Sequence, residues 1–351
     1  MATYEDDFDE FQAIEGHFHN TYLGINFNKD KLSINGGLRN TFYRENQNNQ
    51  ISPRLNIQYA LSNHLKFKLS GGIFQQYISQ LKEFGENSLD LNNQISIINQ
   101  PEEGEEEEAI QTANKIAAGW VFHQNGWLID VEGYYNKTNG LSTFNPTFSS
   151  NAASDLDFSV GNSTARGIDF LIKKRWQQYH VWLNYSLSKV DYFFPDIDDE
   201  EVFPASNDQR HQLSLVNTWQ FKKWNFSLNY QYKTGLPFTQ ALNIEEATEF
   251  DEDSEEEESF FFLEYGAPNA QRLKDYHRID AGISYRPTFK NTKLQSEISF
   301  SIINLLNTRN DFSRDFFIDD FEVEAETFLT ILDVNRRLLQ RTPVVSVRVY
   351  W

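Results

Sequence analysis

The sequence predicts an all-β chain: the wall of an antiparallel transmembrane β-barrel, with long outer loops and short turns on the opposite side. Three observations predict it. Apolar and polar residues alternate with period two through most of the chain, the mark of strands with one dry and one wet face. Short polar corners take turns with long acidic or Ser/Asn-rich loops, the layout of an up-and-down membrane barrel. No run of about eighteen apolar residues occurs, so helices are excluded as membrane spans.

Residues 1–14 read as an acidic remnant of an outer loop, and 15–351 as wall. The first strand carries Leu23, Ile25 and Phe27 and turns at Asn28-Lys-Asp30. The second sets Leu32, Ile34 and Leu38 against Ser33, Asn35 and Arg39, with Gly36-Gly37 relieving crowding or marking a bulge. Leu55, Ile57, Tyr59 and Leu61 then oppose Arg54, Asn56 and Gln58; past Ser62-Asn63, Leu65, Phe67 and Leu69 oppose Lys66, Lys68 and Ser70. From about Ile78 to Thr112 the pattern dissolves into a loop holding Glu102-Glu-Gly-Glu-Glu-Glu-Glu108. A loop that long is unusual in a compact soluble domain and expected on the outer side of a large barrel.

Periodicity returns at Lys115 to Phe122, turns at Gln124-Asn-Gly126, and resumes with Trp127, Ile129 and Val131. A second loop is expected from about Thr138 to Val160. Asn162 to Thr239 reads as two hairpins joined by the acidic segment Pro195–Glu201. Ile168, Phe170 and Ile172 share a face, as do Tyr179, Val181, Leu183, Tyr185 and Leu187. Leu213, Leu215, Trp219 and Phe221 follow; after Lys222-Lys223, Phe226, Leu228, Tyr230 and Tyr232 alternate with Asn225, Ser227, Asn229 and Gln231.

A third loop is expected from about Gln240 to Ala270, with the run Asp251–Glu258 and then Phe260-Phe-Phe262. Beyond it, Ile279, Ala281, Ile283 and Tyr285 lead through Lys290-Asn291 to Ile298, Phe300 and Ile302. That strand is expected to continue towards Phe317, before a loop over Asp319 to Thr327. The last strand puts Val345, Val347, Val349 and Trp351 on one side, and Ser346 and Arg348 on the other.

Composition agrees. At 351 residues, 39% hydrophobic and mean hydropathy −0.59, the chain is too polar for helical spans but suits a barrel with a wet bore. Thirty Phe, 16 Tyr and 7 Trp suit a lipid face and its aromatic girdles. A net charge of −20 argues against nucleic acid as a partner. Zero cysteines leave no disulfide framework and no zinc-thiolate site.

Ala165-Arg-Gly-Ile-Asp-Phe-Leu-Ile-Lys-Lys-Arg175 resembles a strand of the TonB-dependent outer-membrane receptors. So do Tyr185-Ser-Leu-Ser-Lys189, Phe203-Pro-Ala-Ser206, Asn207-Asp-Gln-Arg-His211 and Lys233-Thr-Gly-Leu-Pro-Phe238, taken in that order. Asn304-Leu-Leu-Asn307 is similar to the Asn-Leu-x-Asn signature near the end of these receptors, and the terminal Trp351 to the signal read by the barrel assembly machinery. The resemblance covers nearly the whole chain but only the C-terminal part of such a receptor: roughly thirteen strands of about twenty-two. It implies outer-membrane lipid around the wall, the earlier strands and plug as neighbours, and a TonB energy complex acting on the full-length family. It also implies uptake of a scarce nutrient such as an iron chelate, cobalamin or a glycan. Met1-Ala-Thr-Tyr-Glu-Asp-Asp lacks the layout of a secretory signal, so an export signal is expected outside this chain. An odd strand number makes the first and last strands run the same way, and the chain is expected to be incomplete by itself. A passive porin-like channel and a soluble all-β binding or hydrolytic domain are the alternatives.

No constellation points to an enzyme, and no catalytic, cofactor or metal site is assigned. His17 and His19 could share a strand face and chelate a metal, or simply belong to the wall. Asp208, Arg210 and His211 read as rim charges paired with neighbouring strands. The two glutamate runs read as solvated loop tips. Phe260–Phe262 could contact a ligand or anchor a loop.

Overall fold

The computed structural model describes residues 17–44, 48–80, 96–98, 110–144, 158–195, 197, 201–251, 256–287, 295–323 and 326–350. Every regular element in them is a strand. The wall is built from β1 (Phe18–Lys29), β2 (Leu32–Tyr43), β3 (Asn48–Ala60), β4 (Leu65–Gln76), β5 (Gln111–Gln124), β6 (Trp127–Phe144) and β7 (Phe158–Arg175). It continues through β8 (Tyr179–Phe193), β9 (His211–Phe221), β10 (Trp224–Lys233), β11 (Tyr276–Tyr285), β12 (Gln295–Ile303) and β13 (Thr342–Tyr350). These thirteen strands pair in chain order, each antiparallel to the next, in one sheet. The expected number is the observed one. Among the described residues β1 and β13 do not pair, so the sheet is not closed and both edges are open.

Two adjacent rows show why the chain folds this way. Across the sheet, Leu32, Tyr59, Phe67, Trp120, Val131, Phe170, Tyr185, Leu213 and Tyr232 stand opposite one another in unbroken register. One residue along, the row reads Ser33, Gln58, Lys68, Gly119, Glu132, Asp169, Ser186, Gln212 and Lys233. A pleated strand sends neighbouring side chains to opposite faces, so one face is apolar and the other polar from β2 to β10. On the polar face Lys68 reaches over Gly119 to Asp130 and Glu132, at 2.7 and 2.9 Å. The apolar face is not a packed core. Leu23 is 71% exposed, Ile25 68%, Trp120 41% and Val345 70%. A two-sheet sandwich would bury those rows against its second sheet; here they line the outside of a single sheet.

The short corners fit their residues. Asn125 and Gly126, both at positive φ, join β5 to β6, as a two-residue hairpin turn requires. Asp30 and Lys222 take positive φ at two other corners. Gly36-Gly37 makes no bulge: the register runs straight through, and the Tyr22 ring lies where a Gly37 Cβ would stand. Relief of crowding is the correct alternative.

Four expectations are corrected. The loop expected from Thr138 to Val160 begins later and ends earlier, because β6 runs to Phe144 and β7 starts at Phe158. A register shift between Asn139 and Leu141 changes the face sequence there, so the alternation breaks while the ladder continues. The loop from Gln240 to Ala270 contains a hairpin, Ala241–Asp251 with Glu256–Tyr265. The strand after Ile298 stops at Ile303 rather than reaching Phe317. The loop expected over Asp319 to Thr327 lies largely within a second hairpin, Asp311–Val323 with Glu326–Arg337. Residues 1–14, the run 102–108, the corner Lys290-Asn291 and Trp351 lie outside the described residues.

Candidate functional site at the long-loop rim

The buried groups of this chain collect where the long loops leave the wall. Asp208 is fully buried there. Its carboxylate accepts the Val190 backbone N–H at 2.8 Å, the Arg272 guanidinium at 2.5 Å and the Arg210 guanidinium at 3.3 Å. Arg272 also donates to the carbonyls of Asp208 (2.8 Å) and Gly235 (3.1 Å). Taking a carboxylate out of water is offset only by close charged and hydrogen-bonding partners such as these.

The segments around Asp208 are the short motifs of the sequence. His211 N–H donates to Thr234 Oγ1, and Gln209 Nε2 to the Thr234 carbonyl. Asn269 Nδ2 donates to the Pro204 carbonyl, and its backbone N–H to Thr239 Oγ1. Phe203-Pro204 pairs with β8, while Pro237-Phe238 pairs with Gln271-Arg272. At Gly235 an added Cβ would stand 1.7 Å from the Leu273 carbonyl oxygen, so only glycine permits this approach. Phe194, Ile197 and Phe203 form a small core beside the knot, flanked by Leu141 and Tyr192.

The two hairpins above the wall share a second core. Phe238, Ala241 and Phe316 are buried, with Leu263, Tyr265, Leu273 and Ile331 packed against them. Arg314 lies over the Phe238 and Phe316 rings, 5.2 and 5.6 Å from their centroids, and bonds Asp333 through Nε at 2.8 Å. That guanidinium holds the Asp333 carboxyl below the usual carboxylate range. Asp315 pairs with Arg336 at 2.6 Å and Asp311 with Arg337 at 3.0 Å. The base of the 311–337 hairpin is thus charge-balanced, while Phe317, Leu332, Phe328 and Phe261 stay exposed further out.

Asn304-Leu-Leu-Asn307 is a turn lock. Asn304 and Asn307 both take positive φ. Asn304, fully buried, binds the Thr308 backbone through both side-chain ends and also donates to the Leu339 carbonyl. Its own N–H donates to Asp280 Oδ1 at 2.8 Å.

The residues singled out in the sequence have these places. Asp208 and Arg210 sit at the rim, where they pair with each other and Asp208 also with the distant Arg272, rather than each with a neighbouring strand. His211 Nδ1 meets Tyr185 Oη at 2.9 Å. His19 lies in β1 with its ring on Phe42, whereas His17 precedes the strand. Among the described residues no group of three or more His, Cys, Asp or Glu is placed to hold a metal. Glu256–Glu258 belong to a strand rather than a loop tip. Phe261 is exposed and stands opposite Glu246. Arg272 and the Arg314–Asp333 pair went unseen in the sequence. Neither belongs to an alternating stripe or a motif, and only their distant partners mark them.

A family model described as TonB dependent receptor-like, beta-barrel, matches residues 3–305. This chain belongs to the TonB-dependent receptor β-barrel family. No curated protein matches it. Solved TonB-dependent receptors share the fold of this one at low identity. The Pseudomonas aeruginosa receptor FpvA, bound to a heterologous pyoverdine, has TM-score 0.56 and 11% identity over 95% of this chain and 38% of its own. The ferric citrate transporter FecA, unliganded, has TM-score 0.57 and 12% identity over 95% and 45%. The FrpB iron transporter from Neisseria meningitidis has TM-score 0.56 and 12% identity over the same shares. The chain therefore spans less than half the length of the receptors it matches.

Proposed function

We propose that this chain forms wall, bore lining and part of the outer binding surface of a receptor that imports a scarce nutrient across a Gram-negative outer membrane. The nutrient class is an iron chelate, cobalamin or a glycan. The carrying observation is the pair of adjacent rows, one apolar and exposed, one polar and salt-bridged, running across the sheet. Burying the apolar row in acyl chains and the polar row in water removes the cost of both. The paired hairpins at the long-loop end support an outer binding surface. Receptors for ferripyoverdine and ferric citrate among the structural neighbours support the iron-chelate branch. Transport rather than a reaction is the role that follows.

The open edges carry the partner reading. Each unpaired backbone group in hydrocarbon costs several kcal/mol. A single strand edge left bare would exceed the roughly 5–15 kcal/mol that holds an ordinary domain together. Earlier barrel strands cover β1 and β13 in this reading, a plug fills the bore and a TonB energy complex moves it. The final strand, with Val345, Val347 and Val349 outward, is what the assembly machinery reads. Cell fractionation tests the placement: the chain is expected in the detergent-extracted outer membrane, and recovery in the soluble fraction contradicts it. Planar-bilayer recording tests the transport mode. Silence from the chain alone is expected, and a steady open pore points to a passive channel instead.

A further inference from the structure

The cations at the short-turn end of the wall have a different environment from those in the bore. Lys174 and Arg175 close β7, Lys222 and Lys223 make the corner after β9, and Arg286 follows β11. Backbone bonds tie these turns into one collar. Arg175 N–H donates to the Gly126 carbonyl, Gln220 N–H to Gln178 and Arg286 N–H to Lys223, at 2.8–3.0 Å. Arg286 pairs with Glu297. Lys174, Arg175, Lys222 and Lys223 have no carboxylate partner among the described residues.

Aromatic rings stand beside two of them, Lys174 and Lys222, on the apolar face. Lys174 shares a cross-strand row with Trp127, and its Nζ lies 4.7 Å from the Trp127 ring and 5.3 Å from the Trp176 ring. Lys222 Nζ lies 5.4 Å from the Phe221 ring. Trp127, Trp176, Tyr179, Trp219 and Trp224 are all exposed. Amphipathic rings of this kind settle at headgroup depth, and a lysine among them extends its ammonium towards the phosphates. Glu245, Glu246, Asp319 and Asp320 stand in the hairpins at the opposite end of the wall, so charge differs between its two ends.

We propose that this collar binds the headgroups of anionic phospholipids, of the phosphatidylglycerol type, in the leaflet that meets the short turns. The proposal rests on the membrane reading above. Four cations without a carboxylate partner among the described residues lie within three strand spacings, roughly 14 Å. Lys174, which also donates to the Asn125 carbonyl at 2.8 Å, and Lys222 stand beside a ring belt at that depth. Zwitterionic headgroups offer no net charge to such a cluster. Bound anionic lipid also sets the orientation of the wall, because the carboxylates of the outer hairpins repel the same headgroups.

The experiment is flotation of the full chain with vesicles of phosphatidylcholine, with and without about one third phosphatidylglycerol. Wild-type chain is expected to float with both and to prefer the anionic vesicles by at least about tenfold at low salt, from ~1 kcal/mol per basic residue near the surface. The preference should fade in high salt. The K174Q/R175Q/K222Q/K223Q variant should float with both and lose it, while K174R/K222R/K223R keeps it. Equal preference in wild type and the glutamine variant, or none in wild type, overturns the collar alone. Failure to float with either vesicle overturns the membrane reading, and the collar with it.

Discussion

The Arg272 guanidinium sits on the buried Asp208 carboxylate, although 64 residues separate them in the chain. That bond joins the loop after β8 to the loop after β10 and fixes where the outer hairpins begin. Arg272→Met leaves the buried Asp208 carboxylate with the longer 3.3 Å Arg210 contact, and Asp208→Asn leaves Arg272, about one third exposed, without its carboxylate. Each should destabilise by up to about 3 kcal/mol in urea unfolding from detergent. The double variant should lose clearly less than their sum, since each partner's loss strands the other.

Gly235 supports the same knot from the backbone side. Gly235→Ala pushes a methyl into the Leu273 carbonyl oxygen, and a cost of about 1–3 kcal/mol is expected. Faster proteolytic nicking between residues 203 and 240 is the readout, with the wall strands still protected.

The wall and its face assignment were legible in the sequence because a period of two is local. Each strand declares its own faces without knowledge of its partners. Leu213, Leu215 and Trp219 are enough to orient β9. The outer hairpins were not legible, for a physical reason. At the base of the 311–337 hairpin Ser313 and Asp315 are buried on one side and Phe316 on the other, so neither face is left to water and the usual wet–dry alternation does not mark the strand. In the 241–265 hairpin the glutamates and the Phe260-Phe-Phe262 run mask the ladder that pairs Ile244 with Leu263. Beyond Asn139 the register shift hides the last turns of β6 in the same way. Asp208 was visible as a paired rim charge, but Arg272 was not, because only folding brings it near.

The Arg314–Asp333 pair gives a pH dependence with a definite sign. The guanidinium lowers the folded-state pKa of Asp333, so the stabilisation is complete above the unfolded carboxylate value, about 3.9. It is lost as pH falls through the lowered folded value. Both groups are about one third exposed, so the effect is under about 1 kcal/mol. Pepsin cleavage of the 311–337 hairpin should accelerate below about pH 4 in wild type, and Asp333→Asn should remove the pH-dependent part.

Charge introduced on the two faces should have unequal effects. Phe67→Arg places a guanidinium on the apolar face at a cost of about 2–4 kcal/mol near the bilayer midplane. Gln58→Arg places it on the polar face beside Lys68 and should cost far less. Yield of folded protein in the outer-membrane fraction compares them.

Spin-label accessibility on single-cysteine variants tests the face assignment most directly, since the chain has no cysteine of its own. Phe67→Cys, Trp120→Cys and Phe170→Cys sample one row; Gln58→Cys, Ser186→Cys and Gln212→Cys sample its neighbour. In membranes the first set should be relaxed by dissolved oxygen and the second by a water-soluble nickel chelate. Reversed or equal relaxation in the two sets would contradict an apolar exterior around an aqueous bore.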